Sequence, residues 1–193
     1  MFTFRPNRHW RCLSAAWALF AALAPADLPA AQGHAHVHGA ASLRVVVDGA
    51  TLEVALESPL DSLLGFERSP RTEAERAAVR AMAARLRQPA TLFTPTPAAR
   101  CVAGSVDIAS AALPAELLGN PKPAPGTGGA TADEHADLDA TFRWRCDAPA
   151  ELKGMDVALL QAFPGLRSVK VQVVGPRGQS ATTLSGASRS LRW

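Results

Sequence analysis

Ser42-Leu43-Arg44-Val45-Val46-Val47-Asp48-Gly49-Ala50-Thr51-Leu52-Glu53-Val54-Ala55-Leu56 is the stretch from which the fold is read. Leu43, Val45 and Val47 alternate with Ser42, Arg44 and Val46, and Leu52, Val54 and Leu56 alternate with Thr51, Glu53 and Ala55. Period-2 alternation gives each strand one apolar face, and Asp48-Gly49 between two such runs is a strong hairpin signal. The chain therefore holds an antiparallel hairpin with one face buried.

Working outward, Pro59 ends the second strand, and Ser62 to Pro70 reads as a loop. Thr72 and Glu75 form a capping box ahead of Arg76 to Leu86. Val79, Met82, Ala83 and Leu86 recur at helical spacing, with Arg76, Arg80, Arg85 and Arg87 largely on the other, solvated side. Thr91-Leu92-Phe93 and Arg100 to Ile108 read as short strands. Leu138, Ala140, Phe142, Trp144 and Cys146 alternate with Asp139, Thr141, Arg143 and Arg145, a half-buried strand with Cys146 on its core face. Leu152 to Phe163 fits a strand or a short helix, and Val169, Val171 and Val173 lead through Gly175-Pro176-Arg177-Gly178 into a last hairpin. Between residues 119 and 135, three prolines and a run of glycines carry no apolar periodicity, so a flexible insert is expected there. The fold class is α+β: an antiparallel sheet built of hairpins, one clear amphipathic helix and a Pro/Gly insert.

The 193 residues include 20 Lys and Arg against 17 Asp and Glu, a net charge of +3 with a pI near 9.1. Arg5, Arg8 and Arg11, however, precede the apolar run from Cys12 to Ala24, which is followed by Ala24-Pro25-Ala26. A basic start, a short apolar run and an A-x-A site make a secretory signal. Thirteen helical residues would span about 20 Å, against roughly 30 Å of hydrocarbon, so the run is not a membrane anchor. Cleavage after Ala26 removes those three arginines and leaves 17 basic against 17 acidic residues. A near-neutral chain has no long-range field to recruit phosphates, which excludes nucleic acid as a partner. The expected organisation is a signal over residues 1–26, a His-rich segment over 27–41 and a single domain over 42–193 in the periplasm.

Cys101 and Cys146 remain after cleavage, and in an oxidising compartment they allow one pairing. Closing that loop constrains the unfolded chain by about 4 kcal/mol in the entropic account. A thiolate metal or redox site lacks any C-x-x-C spacing.

His34, His36 and His38 fall within five residues. In an extended segment they share one face, and neutral imidazole suits Zn2+, with Cu2+ or Ni2+ as other ions of the same preference. The competing reading is a mobile segment whose histidines have no role. His135 lies among Asp133, Glu134 and Asp137, which offer oxygen ligands, though a histidine among acids also suits a plain loop tip. Were the chain to begin at Gln32, its amine, two amides and His34 would form a square-planar Cu(II) or Ni(II) site, a cut for which Pro29 is badly placed. No phosphate loop, dinucleotide fingerprint, H-E-x-x-H or G-x-S-x-G is present, so no enzyme is expected.

Several motifs in order resemble a family of exported bacterial proteins, the periplasmic zinc-binding proteins of the ZrgA type. They are His36-Val37-His38-Gly39-Ala40-Ala41-Ser42-Leu43, then Gly65-Phe66-Glu67 before Ser69-Pro70, Ala99-Arg100-Cys101, the strand from His135 to Cys146, and Phe163-Pro164. The resemblance implies periplasmic zinc binding in support of zinc acquisition, with His36, His38 and His135 as ligands and Glu67 as a weaker one. An uptake transporter or its binding protein is the implied partner. Two departures stand out. Relatives often continue Gly-Phe-Glu with His where this chain has Arg68, and the insert carries His135 alone instead of a histidine run. Both point to a lower metal capacity. The alternatives are a non-metal envelope adaptor and, further off, a zinc hydrolase.

Overall fold

The computed structural model describes residues 37–120 and 136–193, all within one unit spanning Ala35–Trp193. The hairpin at its centre is β1 (Ala40–Asp48) and β2 (Thr51–Pro59), in register from Asp48↔Thr51 to Ser42↔Glu57. The turn residues are Gly49 and Ala50, one position beyond the expected Asp48-Gly49. Gly49 takes φ +53° while Ala50 does not turn positive, and glycine first is the requirement of a II′-type hairpin.

Around this hairpin grows a six-stranded sheet of order β4-β5-β2-β1-β7-β8, where β4 is Cys101–Ala109, β5 Asp137–Cys146, β7 Ser168–Gly175 and β8 Gly178–Ser185. The α+β class holds, and the sheet is antiparallel at each pairing except β1–β7, which run parallel from Ala40↔Ser168 to Val46↔Val174. Register aligns the apolar positions across strands. Val45 faces Val54 and Val173, and Val54 faces Phe142, so all four turn to one side and are buried. A small second sheet, β3 (Phe93–Pro95), β6 (Gly154–Val157) and β9 (Ser190–Arg192), adds to the same core. There Phe93 meets Phe142 edge-on at 4.9 Å and Trp144 at 5.9 Å, the geometry that aromatic quadrupoles favour.

Helix α2 (Glu73–Leu86) has the predicted capping box, with Thr72 and Glu75 bonding reciprocally, and buries Val79, Met82, Ala83 and Leu86. Its arginines do more than meet solvent. Arg76 and Arg80 pair with Glu73, Arg85 donates to the Ala162 carbonyl, and Arg87 holds the Leu118 carbonyl. Of the three shorter helices among the described residues, two differ from the sequence expectation. Leu60–Leu64 forms α1 where the reading began its loop at Ser62, because five residues are too few to show periodicity. Pro89–Leu92 forms α3 ahead of β3, so that Thr91-Leu92 is helical and Phe93 alone starts the strand. The ambiguous segment is both things in turn, β6 and then α4 (Leu159–Ala162). Cys101 and Cys146 are directly paired across β4 and β5 and joined by a disulfide. Among the described residues no helix is long and apolar enough to cross a membrane.

Candidate metal site

The central hairpin dictates where the site lies. Its register steps back one residue on β1 for each residue forward on β2. Continued past the last pair, it brings position 38, in the turn before β1, level with position 61 in α1. The side chains do meet there: His38 Nδ1 lies 3.1 Å from Asp61 Oδ2. On the ring's other side, His38 Nε2 lies 3.5 Å from Glu67 Oε1. The imidazole is 60% exposed, and the Asp61 and Glu67 side chains are 32% and 38% exposed, so the group faces solvent.

The backbone beneath His38 is held from two directions. Gly39 is buried, and its N–H donates to the hydroxyl of Ser62 at 2.9 Å. The Gly39 carbonyl accepts from the N–H groups of Arg167 and Ser168, at the start of β7. Arg167 also reaches back with its guanidinium to the His38 carbonyl at 2.9 Å. Gly39 has φ +80°, and a Cβ there would stand 2.6 Å from Arg167 Nε, so glycine is required both for its conformation and for space.

The loop that carries Glu67 is tied down on both sides of it. Gly65 closes α1 in the left-handed conformation, donating to the Asp61 carbonyl, a helix stop that only glycine makes without strain. Arg68 forks onto Glu75 at 2.6 and 3.1 Å and lies 5.3 Å from the centre of the Phe66 ring. Glu75 is held well below the ordinary glutamate range, at about 2, chiefly by the Arg68 guanidinium and then by the backbone N–H of Arg71. Arg68 is thus a strut tying the Glu67 loop to the start of α2.

Both contacts are nitrogen–carboxylate approaches within 4 Å, and 3.5 Å is long for a hydrogen bond. Two ligands on a tetrahedral zinc ion, with metal–ligand bonds of about 2.0–2.2 Å, stand about 3.4 Å apart. His38 Nε2 and Glu67 Oε1 match that edge, and both donor types suit zinc. Asp61 faces the opposite nitrogen and so cannot bind the same ion. Accordingly no three His, Cys, Asp or Glu side chains among the described residues form a group that could hold a metal alone.

Of the sequence-derived candidates, the structure brings His38 and Glu67 together. Asp137 opens β5 opposite Pro59, at the same end of the sheet. His34, His36, Asp133 and His135 lie outside the described residues, as do residues 1–26, where a signal is expected, and most of the Pro/Gly insert. Asp61, Ser62 and Arg167 were not picked out from the sequence. The hairpin register would have found Asp61, while Arg167 depends on the parallel β1–β7 pairing, which no local pattern announces.

The structure thus presents an α+β domain with a histidine–carboxylate pair at a solvent-facing end of its sheet. A comparison with family models is specific: residues 35–193 match the ZrgA family zinc uptake protein model, and the chain belongs to that family. No curated protein matches the sequence.

Proposed function

We propose that this protein acts in the periplasm, where it captures Zn2+ through histidines and buffers it for, or hands it to, an uptake transporter or that transporter's binding protein. The observation that carries the reading is the 3.5 Å spacing of His38 Nε2 and Glu67 Oε1, the edge of a tetrahedral zinc site, in a chain of a zinc uptake family. Further ligands are assigned to the His-rich segment and the insert. His36 precedes His38 by two residues, and His135 precedes Asp137 by two, each next to an element that ends at this edge. His34, Asp133 and Asp137 are the outer candidates. The open, solvent-facing geometry suits capture and release better than tight sequestration.

Titration calorimetry with zinc tests this. Replacing His34, His36 and His38 together with Ala lowers zinc stoichiometry while circular dichroism stays that of the parent, and His135→Ala reports separately on the insert. Unchanged zinc binding in the triple variant refutes the assignment. Absence of any zinc binding by the parent at micromolar metal turns the reading to a non-metal adaptor.

A further inference from the structure

We propose that the β8 edge of the main sheet pairs with the β8 edge of a second copy of this chain, antiparallel about a two-fold axis, so that the two sheets become one.

The sheet ends in β4 on one side and β8 on the other, and the two edges are built differently. An edge strand turns the N–H and C=O of every second residue outward, where they template another strand unless something blocks them. On β4 the register shifts between Ala103 and Val106. Further along, the Val106 carbonyl accepts from Arg87 at 3.3 Å and the Ile108 carbonyl from Asn120 at 2.7 Å. An irregularity and two side-chain donors thus block that edge. β8 has neither. Its eight residues, Gly178-Gln179-Ser180-Ala181-Thr182-Thr183-Leu184-Ser185, include no charge and no proline, and they pair with β7 without a register shift. All but Leu184 are exposed. Among the described residues, no hydrogen bond outside the β7 ladder reaches Gln179 to Leu184. The edge strands of the small sheet, β3 and β9, are only three residues long. β8 is therefore the long unguarded edge among the described residues.

The sequence of β8 favours a second copy as the occupant. Partner strands are selected by complementary charge and by the side chains that meet across the pair. β8 offers no charge for an unrelated strand to complement, whereas its own copy brings the same uncharged row. Residues directly opposite in an antiparallel pair share a face, so the axis must pass at a residue and not between two. At Ala181 it sets Ser180 against Thr182 and Gln179 against Thr183; at Thr182 it sets Ala181 against Thr183 and Ser180 against Leu184. Every pair is uncharged in either register. Arg177 and Arg189 lie beyond the strand's two ends, at the rim, where salt screens them. Eight residues at about 3.4 Å each make a seam of about 27 Å, and one strand edge buries less than the roughly 1,200 Å2 of stable interfaces, so the dimer is weak and reversible. The His38 end of the sheet stays open. β1 and β7 start together at Ala40↔Ser168, beside the Ser185 end of β8, and the two-fold sends the partner's corresponding end to the far end of the seam.

Sedimentation equilibrium of the processed protein, from micromolar to millimolar concentration, tests the pairing. The mass should rise with concentration from that of one chain toward that of two. Thr182→Lys brings like charges close to the axis in both registers and should raise the dimer dissociation constant by about tenfold or more, as should Thr182→Glu. An equimolar mixture of the two variants, with opposite charges facing, should regain the dimer. Ser105→Lys, on the blocked β4 edge, should leave it unaltered, and circular dichroism checks that each exposed substitution keeps the fold. A parent that remains a single chain at millimolar concentration overturns the proposal. So does a dimer indifferent to Thr182→Lys, or a Lys–Glu mixture that stays monomeric.

Discussion

Replacing Gly39 by alanine puts the construction of the site to a quantitative test, with Gly49→Ala as its yardstick. Both glycines have positive φ, +80° and +53°, and a side chain in that region costs about 1–2 kcal/mol. Alanine also narrows the unfolded ensemble, which offsets about 0.4–1 kcal/mol. At Gly49 nothing lies within 4 Å of the new Cβ, so only the net backbone penalty of about 1 kcal/mol remains. At Gly39 the Cβ would stand 2.6 Å from Arg167 Nε and 3.0 Å from a terminal guanidinium nitrogen. The guanidinium must withdraw, giving up its bond to the His38 carbonyl, worth about 1 kcal/mol at an exposed position. For a domain of this size each kcal/mol lowers Tm by roughly 2–4 °C. Gly39→Ala should therefore melt below Gly49→Ala by about that much, in calorimetry or circular dichroism. In an Arg167→Ala background the clash and the bond are both gone, and the gap between the two glycine variants should close. Zinc titration should find Gly39→Ala weakened and Gly49→Ala unaltered. Equal melting of the two variants, or a gap that survives in the Arg167→Ala background, refutes the account of how His38 is held.

Two further outcomes concern the rest of the domain. Phe142→Ala removes a fully buried ring from contact with Phe93 and should cost about 3–5 kcal/mol, read as a lower urea midpoint with an unaltered slope. Glu75 titrates near 2 when folded, against about 4.3 unfolded, so its contribution is fully present above pH 4.3 or so and is lost as pH falls toward 2. Acid unfolding followed by circular dichroism should thus be shallower in Glu75→Gln than in the parent across that window.

What could be read from the sequence follows the range of the interactions involved. The β1–β2 hairpin, the capping box at Thr72 and Glu75, and the alternation of Leu138 to Cys146 are local patterns, and each reappears in the structure. So does the disulfide, since Cys146 on the core face had one partner to meet. The parallel β1–β7 pair was invisible because it joins segments more than a hundred residues apart, and parallel strands leave no turn between them to announce their register. Helix α1 was invisible for the opposite reason, being too short for a 3.6-residue period to emerge. Glu67 stood out only through resemblance to a family, whereas Asp61 carried no motif of its own. Arg68 stood out only as a departure from the family resemblance. Its fork onto Glu75 makes it a structural cation, a role that depends on how close α2 starts to the loop.

The fastening of His38 by Arg167 also sets an order of events along the polypeptide. His38, Asp61 and Glu67 lie within thirty residues and flank one local hairpin, contacts that close quickly in a growing or threading chain. Arg167 and the β7 strand that follows it arrive a hundred residues or more later. A chain emerging from its N-terminus thus presents the donor atoms early and the latch late, so it passes through a stage in which the ligands exist on a backbone still free to move. Rigid geometry at His38 is a property of the finished molecule, and measuring it reports that the two distant ends of the domain have met.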